Sequence, residues 1–151
     1  MSTTGGTAFA IGSSTGEITV NDLNDLDFES GTTSFSLGIE VNDGVSTSAT
    51  ETIVININDI NDEIPVITDP GAFNLDENTS ALTSVVTMVV SDADASNTFT
   101  WSIISGNTDV ESDANLPFSI DPNSGEITVN DQDDLDFEST SFFSLEIQVS
   151  D

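Results

Sequence analysis

Apolar and polar residues alternate over several short stretches of the chain. Phe35, Leu37, Ile39 and Val41 are separated by Ser, Gly and Glu, and Ile53, Ile55 and Ile57 by Val and Asn. A period of two places alternate side chains on one face, the pattern of a strand lying on a core. "TSVVTMVVSD", "FTWSII", "PFSID", "GEITV" and "FFSLEIQV" predict further strands, punctuated by Gly, Pro, Asn and Asp. Phe99, Trp101 and Ile103 share one face of such a strand, which predicts a core position for the single Trp rather than a sugar-stacking one. No stretch has helical periodicity, so the pattern predicts an all-β protein.

The pattern also repeats. "FAIGSSTGEITVNDLNDLDFES" from Phe9 returns as "FSIDPNSGEITVNDQDDLDFES" from Phe118, an offset of 109 residues. The offset becomes 108 where "SFSLGIEVND" (34–43) meets "FFSLEIQVSD" (142–151). A period of about 100 residues matches one Greek-key β-sandwich domain. The expected organisation is therefore a tandem β-sandwich. Residues 1–7 form a flexible N-terminus, 8–63 the C-terminal part of a first domain with its linker, and 64–151 a second domain. The second copy stops before an equivalent of "ETIVININD", so both domains are expected to be incomplete in this chain. The two deficits are complementary, which leaves two readings open: head-to-tail strand complementation between copies, or a segment cut from a longer array.

Charge changes the picture. The chain carries 28 Asp and Glu and no Lys, Arg or His, a formal net charge of −28. Nucleic acids and anionic membrane surfaces need basic partners and are excluded. No apolar run reaches the 18 residues or so of a membrane span, so no membrane insertion is expected. There is no Cys, which removes disulfides, thiolate metal sites and thiol catalysis. "MSTTGGTAFAIG" lacks the regions of a signal peptide, so an extracellular protein would be represented here by a mature segment. Without His, Lys or Cys a Ser nucleophile has no base, and the chain reads as no enzyme, with no catalytic residues.

The acids are concentrated in motifs: "DINDE" (59–63), "LDFE" (26–29 and 135–138), "DEN" (76–78) and "DAD" (92–94). Two like charges about 5 Å apart at an effective dielectric of 20 repel by roughly 3 kcal/mol. Such motifs cannot draw together without an outside cation. "NDLNDLDFE" does not have the glycine and terminal Glu spacing of an EF-hand loop, and "DPNSG" (121–125) reads as a tight turn.

In this order the motifs resemble those of the cadherin repeat family, which has xEN, DAD, LDRE and DxNDN at corresponding places. The "FxI…sG-I" pattern at Phe9, Ile11, Gly16 and Ile18, and again at Phe118, Ile120, Gly125 and Ile127, supports the resemblance. Departures are Glu63 for the last Asn of DxNDN, and Phe28 and Phe137 for the Arg of LDRE. The resemblance implies an immunoglobulin-like, cadherin-type sandwich and up to three Ca²⁺ at the domain junction. Asp27, Glu29 and Asp62 would serve the outer ions, with Asp59 and the Ile60 carbonyl between them. Asp94 would bridge. Asn61, Asp92, Asp94, Asp151 and the carbonyls of Glu63 and Asn97 would serve the innermost ion. Glu77, Asp136 and Glu138 would form half of a second junction. The implied role is a calcium-rigidified adhesive segment of an extracellular or cell-surface protein or filament. Its partners would be neighbouring cadherin-like repeats or copies of itself. The alternative is a calcium-dependent module that binds polysaccharide.

Overall fold

In the computed structural model, residues 7–95 and 97–151 are described, and all eleven strands among them are short. The expected N-terminal tail lies outside the described residues except for Thr7. No α-helix occurs among the described residues; the one helical element is a 3-10 turn over Leu23–Asp25. None is long and apolar enough to cross a membrane. The chain divides into two compact units, Met1–Ile60 and Asn61–Asp151.

The first unit contains β1 (Phe9–Ile11), β2 (Ile18–Val20), β3 (Ser34–Ile39) and β4 (Glu51–Asn56). β1 and β2 form an antiparallel hairpin with Phe9 opposite Val20 and Ile11 opposite Ile18. β3 and β4 pair antiparallel from Ser34–Asn56 to Ile39–Glu51. Ala8, Phe9 and Leu37 are buried between the pairs, with Ile18, Leu26, Phe35, Ile39 and Ile55 packed against them. The expected alternation holds as far as Ile39. There β3 ends, and Val41, expected to face the core, is 50% exposed. Beyond β3 the main chain turns back through Asp43, whose carboxylate accepts from the amides of Val45 and Ser46.

The second unit contains β5 (Val66–Thr68), β6 (Ser84–Thr87), β7 (Val89–Ser91), β8 (Thr100–Ser105), β9 (Phe118–Ile120), β10 (Glu126–Val129) and β11 (Glu146–Ser150). β6, β10 and β9 form one antiparallel sheet in that order, while β11 pairs with β8 and β5 with β7. "TSVVTMVVSD", read as one strand, is two. The chain breaks at Met88, which is buried, and whose N–H reaches the Gly125 carbonyl at 3.0 Å. β6 and β7 thereby pair with different strands, β6 with β10 and β7 with β5.

The repeated sequence gives repeated register. Phe118 lies opposite Val129 and Ile120 opposite Ile127, the 109-residue equivalents of the β1–β2 pairs. Phe9 meets Phe35 edge-on with ring centres 5.2 Å apart, and Phe118 meets Phe143 at 5.2 Å. Such pairs contribute about 0.5–1.5 kcal/mol beyond area burial. Trp101, 4% exposed, joins Met88, Phe118, Ile127, Val129 and Leu135 in the core, as the alternation predicts. "DPNSG" is the expected turn. Asp121 accepts from the amides of Asn123 and Ser124, which with the Ser124 hydroxyl hold its carboxyl below the usual range. Gly125 closes the turn at φ +70, and a Cβ there would meet the Trp101 ring at 2.9 Å. Only Gly fits both the left-handed backbone and the ring.

Leu37 has 0% exposure, whereas its copy Leu145 is half-buried. Leu37→Ala should cost about 2–5 kcal/mol of its unit's stability, and Leu145→Ala less. Urea unfolding curves of the two variants check this, and equal losses would contradict the assigned burial.

Candidate metal centre

Antiparallel pairing decides which acids meet in the second unit. β5 and β7 run antiparallel with Val66 opposite Ser91, so residues preceding β5 meet those following β7. β8 and β11 run antiparallel with Thr100 opposite Ser150, so Asp151 lies beside the segment entering β8. Four strand ends thus deliver residues 61–63, 92–95, 97 and 151 to one place.

The local contacts follow. The Glu63 amide donates to Asp94 Oδ2 at 3.0 Å, and the Asp94 amide to Asp92 Oδ1 at 3.0 Å. Asn61 Nδ2 donates to Asp151 Oδ2 at 2.8 Å, and Asn97 Nδ2 to the Asp94 carbonyl at 2.8 Å. Carboxylate oxygens of Asp92, Asp94 and Asp151 lie within 4.8 Å of one another. Asp94 is 6% exposed. Asp92 Oδ2 and Asn97 Oδ1 are enclosed and accept no hydrogen bond. An enclosed oxygen without a donor is costly, and here two face a region of negative charge with no basic side chain in the chain to answer it. Hard oxygens from carboxylates and an amide, gathered at this spacing, fit a calcium-sized cation. Sequence reasoning assigned Asn97 through its main-chain carbonyl only, and its side-chain oxygen is an addition. Asp62 is exposed in the same unit.

A second group forms at Glu77, Asp136 and Glu138, whose oxygens also lie within 4.8 Å of one another. Main-chain bonds from Asn78 to the Leu135 carbonyl and from Leu82 to the Val129 carbonyl hold the two segments together. Asn78 takes φ 56, a left-handed conformation Asn tolerates. The Ser139 hydroxyl, donating to Asp136 Oδ2 at 2.6 Å, chiefly holds the Asp136 carboxyl below its usual range. Glu138 goes the other way. Its own amide pulls its carboxyl down, but the charge of Glu77, the Asp136 hydrogen bond, desolvation and the Asp136 charge together raise it. The part of the Glu138 rise that comes from the Glu77 and Asp136 charges marks unneutralised repulsion.

In the first unit, Asp27 accepts from the Ser30 amide at 3.0 Å while the Ser30 hydroxyl donates to the Asp27 carbonyl at 2.7 Å. Glu29 and Asp59 are half-buried, and Asp27 and Ile60 are exposed. A trio the sequence reading did not single out, Glu111, Asp113 and Asp131, also gathers in the second unit. Its members come from two loops, and no spacing rule in the chain announces that those loops meet.

These features define a class: short-stranded all-β sandwich units with carboxylates drawn to the strand ends. Comparison with known proteins makes the class specific. A cadherin-domain profile matches residues 72–151. The chain is 34% identical over 148 residues to human protocadherin Fat 1, an alignment that covers 95% of this chain and 3% of that protein. Mouse cadherin EGF LAG seven-pass G-type receptor 2 is 32% identical over 149 residues, covering 95% and 5%. Among solved structures, human protocadherin-24 EC1-2 superposes with a TM-score of 0.74 at 24% identity, over 95% of this chain and 64% of that one. Chicken VE-cadherin EC1-2 gives 0.62 at 26% identity, over 97% and 72%. The chain belongs to the cadherin family, whose domains are adhesion modules with an immunoglobulin-like β-sandwich fold. It spans 3% and 5% of those two relatives.

The groups at Asp92, Asp94 and Asp151 and at Glu77, Asp136 and Glu138 share no residue, so their effects should separate. In calorimetric titration with calcium, Asp92→Asn should remove one set of binding events and Glu77→Gln with Glu138→Gln another. Identical losses in both variants would contradict two separate sites.

Proposed function

We propose that this chain is a calcium-rigidified segment of an extracellular or cell-surface adhesive protein, stiffened where its two units join. The observation that carries the reading is the convergence of Asp92, Asp94, Asp151, Asn61 and Asn97 at four strand ends, with Asp92 Oδ2 and Asn97 Oδ1 enclosed and without donors. In this reading Asn61, Asp92, Asp94, Asp151, Asn97 and the Glu63 carbonyl hold one ion. Asp27, Glu29, Asp59, the Ile60 carbonyl and Asp62 hold further ions, with Asp94 as the bridge. An ion shared by residues on both sides of the Ile60–Asn61 boundary turns an acidic linker into a stiff one. Without it, the linker carboxylates repel and the linker swings. Glu77, Asp136 and Glu138 offer the same chemistry to the next repeat of a longer array. Cation concentrations on the order of 10⁻⁴–10⁻³ M, typical of extracellular calcium modules, would fill such sites.

Assembly with other copies is the second part of the proposal. β11 pairs with β8 on one edge only, and β4 pairs with β3 on one edge only. Beside β11, Met88, Phe118, Ile127, Leu135 and Leu145 line an open apolar trough. The outer edge of β4 in one copy can add to β11 of the next, as strand addition requires. Exposed Ile53 of β4 supplies an apolar side chain for the trough, with Val54 on the opposite face of the strand. The polysaccharide-binding alternative loses its best aromatic, because Trp101 is in the core.

Small-angle X-ray scattering of the same protein in calcium and in chelator tests both parts. Calcium should narrow the distribution of interatomic distances for the monomer and, at high protein concentration, give particles that grow and that chelator disperses. An unchanged distribution would contradict the stiffening, and a monodisperse monomer in saturating calcium would contradict the assembly.

A further inference from the structure

Of the 13 asparagines in the chain, only Asn78 has a hydroxyl residue two places on, in Asn78-Thr79-Ser80. Asn-x-Ser/Thr, with x other than Pro, is the acceptor pattern for N-linked sugars, and a bulky sugar needs a surface loop to stand on. The fold supplies that loop. Glu77 and Asn78 form an exposed turn ahead of β6, and Ser80 is exposed as well. The Asn78 N–H donates to the Leu135 carbonyl at 3.0 Å, so the backbone of the turn is held. Thr79 is half-buried, and its hydroxyl donates to the Asp76 carbonyl at 2.6 Å. Among the described residues, no hydrogen bond ties down the side chain of Asn78.

Other asparagines are committed to the fold. Asn107 Nδ2 donates to the Phe118 carbonyl at 2.7 Å, and its Oδ1 accepts from the Phe118 amide at 3.1 Å. Asn130 Nδ2 donates to the Leu116 carbonyl at 2.7 Å, and Asn21 Nδ2 to the Thr7 carbonyl at 2.7 Å. A sugar on any of these nitrogens would disturb a bond that joins two segments. A sugar on Asn78 disturbs none. The neighbouring Glu77 carboxylate is engaged elsewhere, accepting from the Phe137 amide at 3.4 Å.

We propose that Asn78 is the attachment site of an N-linked oligosaccharide, an inference that rests on the extracellular half of the function proposed above and not on its calcium half. The donor is an oligosaccharide joined through a diphosphate to a membrane lipid, and a transferase of the export membrane moves it. A bond forms between Asn78 Nδ2 and the anomeric carbon of the first sugar. The bond from that carbon to the diphosphate oxygen breaks, and the diphosphate leaves with the electron pair. One amide proton passes to a base of the transferase, and nothing is oxidised or reduced. Glu77 and Phe137 line the apolar trough, and Phe137 is 64% exposed. The sugar would add hydrated bulk at the rim of that trough.

Mass spectrometry of the whole chain, secreted from a eukaryotic cell behind a cleavable export signal, tests this. The protein should be heavier than its sequence, the added mass should map to the peptide that holds Asn78, and an amidase specific for N-linked sugars should remove it. Asn78→Gln and Ser80→Ala should each abolish the addition completely, while Ser80→Thr keeps it, because the pattern needs a hydroxyl at that place. Cell-free translation with microsomal membranes reads the same addition on the nascent chain, so a variant that fails to fold or to leave the cell is still scored. An unmodified Asn78 in both systems would overturn the proposal, whatever is attached to Ser or Thr hydroxyls elsewhere. So would an addition at Asn78 that survives Ser80→Ala. Calcium titration of the same material reads the strand-end centres separately, so a failure there and a failure here are distinguishable.

Discussion

Every carboxylate in this protein must be answered by an N–H, a hydroxyl, water or an ion from outside, because the chain has no cationic side chain. That constraint sorts the acids. Some close turns: Asp43 and Asp121 each accept from two main-chain amides, which hold their carboxyls below the usual range. Others are brought together by the fold faster than donors can be found for them. The antiparallel pairs β5–β7 and β8–β11 carry Asp92, Asp94 and Asp151 to one end of the second unit. Two main-chain bonds bring Glu77 to Asp136 and Glu138. The apolar core that drives this convergence is the same one that makes the repulsion, so folding and charge are coupled.

The alternation of Phe35, Leu37 and Ile39 made the strand and its buried face legible, because a period of two maps directly onto a core face. The 109-residue repeat made the strands of β1–β2 and β9–β10 legible as two copies of one pattern, while their pairing and the edge-on Phe contacts emerge only in the fold. The break at Met88 was not legible, since an unbroken apolar run does not say where a strand changes sheets. Nor was the early end of β3, which a turn held by Asp43 imposes on Val41. The acids of "DAD", "LDFE" and "DEN" could be found because each motif is compact and their order is that of a known family. Asn97 Oδ1 could not, because whether an amide faces a site or the main chain depends on its rotamer. Glu111, Asp113 and Asp131 stand on two loops whose meeting is a tertiary event.

Membership of the cadherin family and the geometry of the acids support one physical account. A sandwich with short strands has many strand ends, and strand ends are where main-chain direction, loops and neighbouring repeats come together. Placing acids there makes the ends repel unless cations are supplied. In the function proposed above, such a protein is ordered by its medium. The same chain would then be stiff in a calcium-rich exterior and loose where calcium is scarce, without any change in its core.

Thermal unfolding at fixed ionic strength tests that account most directly. One sample contains sodium chloride alone, and the other has part of it replaced by calcium at a few times 10⁻³ M, the affinity range of extracellular calcium modules. General screening acts alike in both. The account predicts a clearly higher Tm in calcium, which chelator reverses, because calcium bound at the acids adds to folded-state stability. Equal Tm values at matched ionic strength would contradict it.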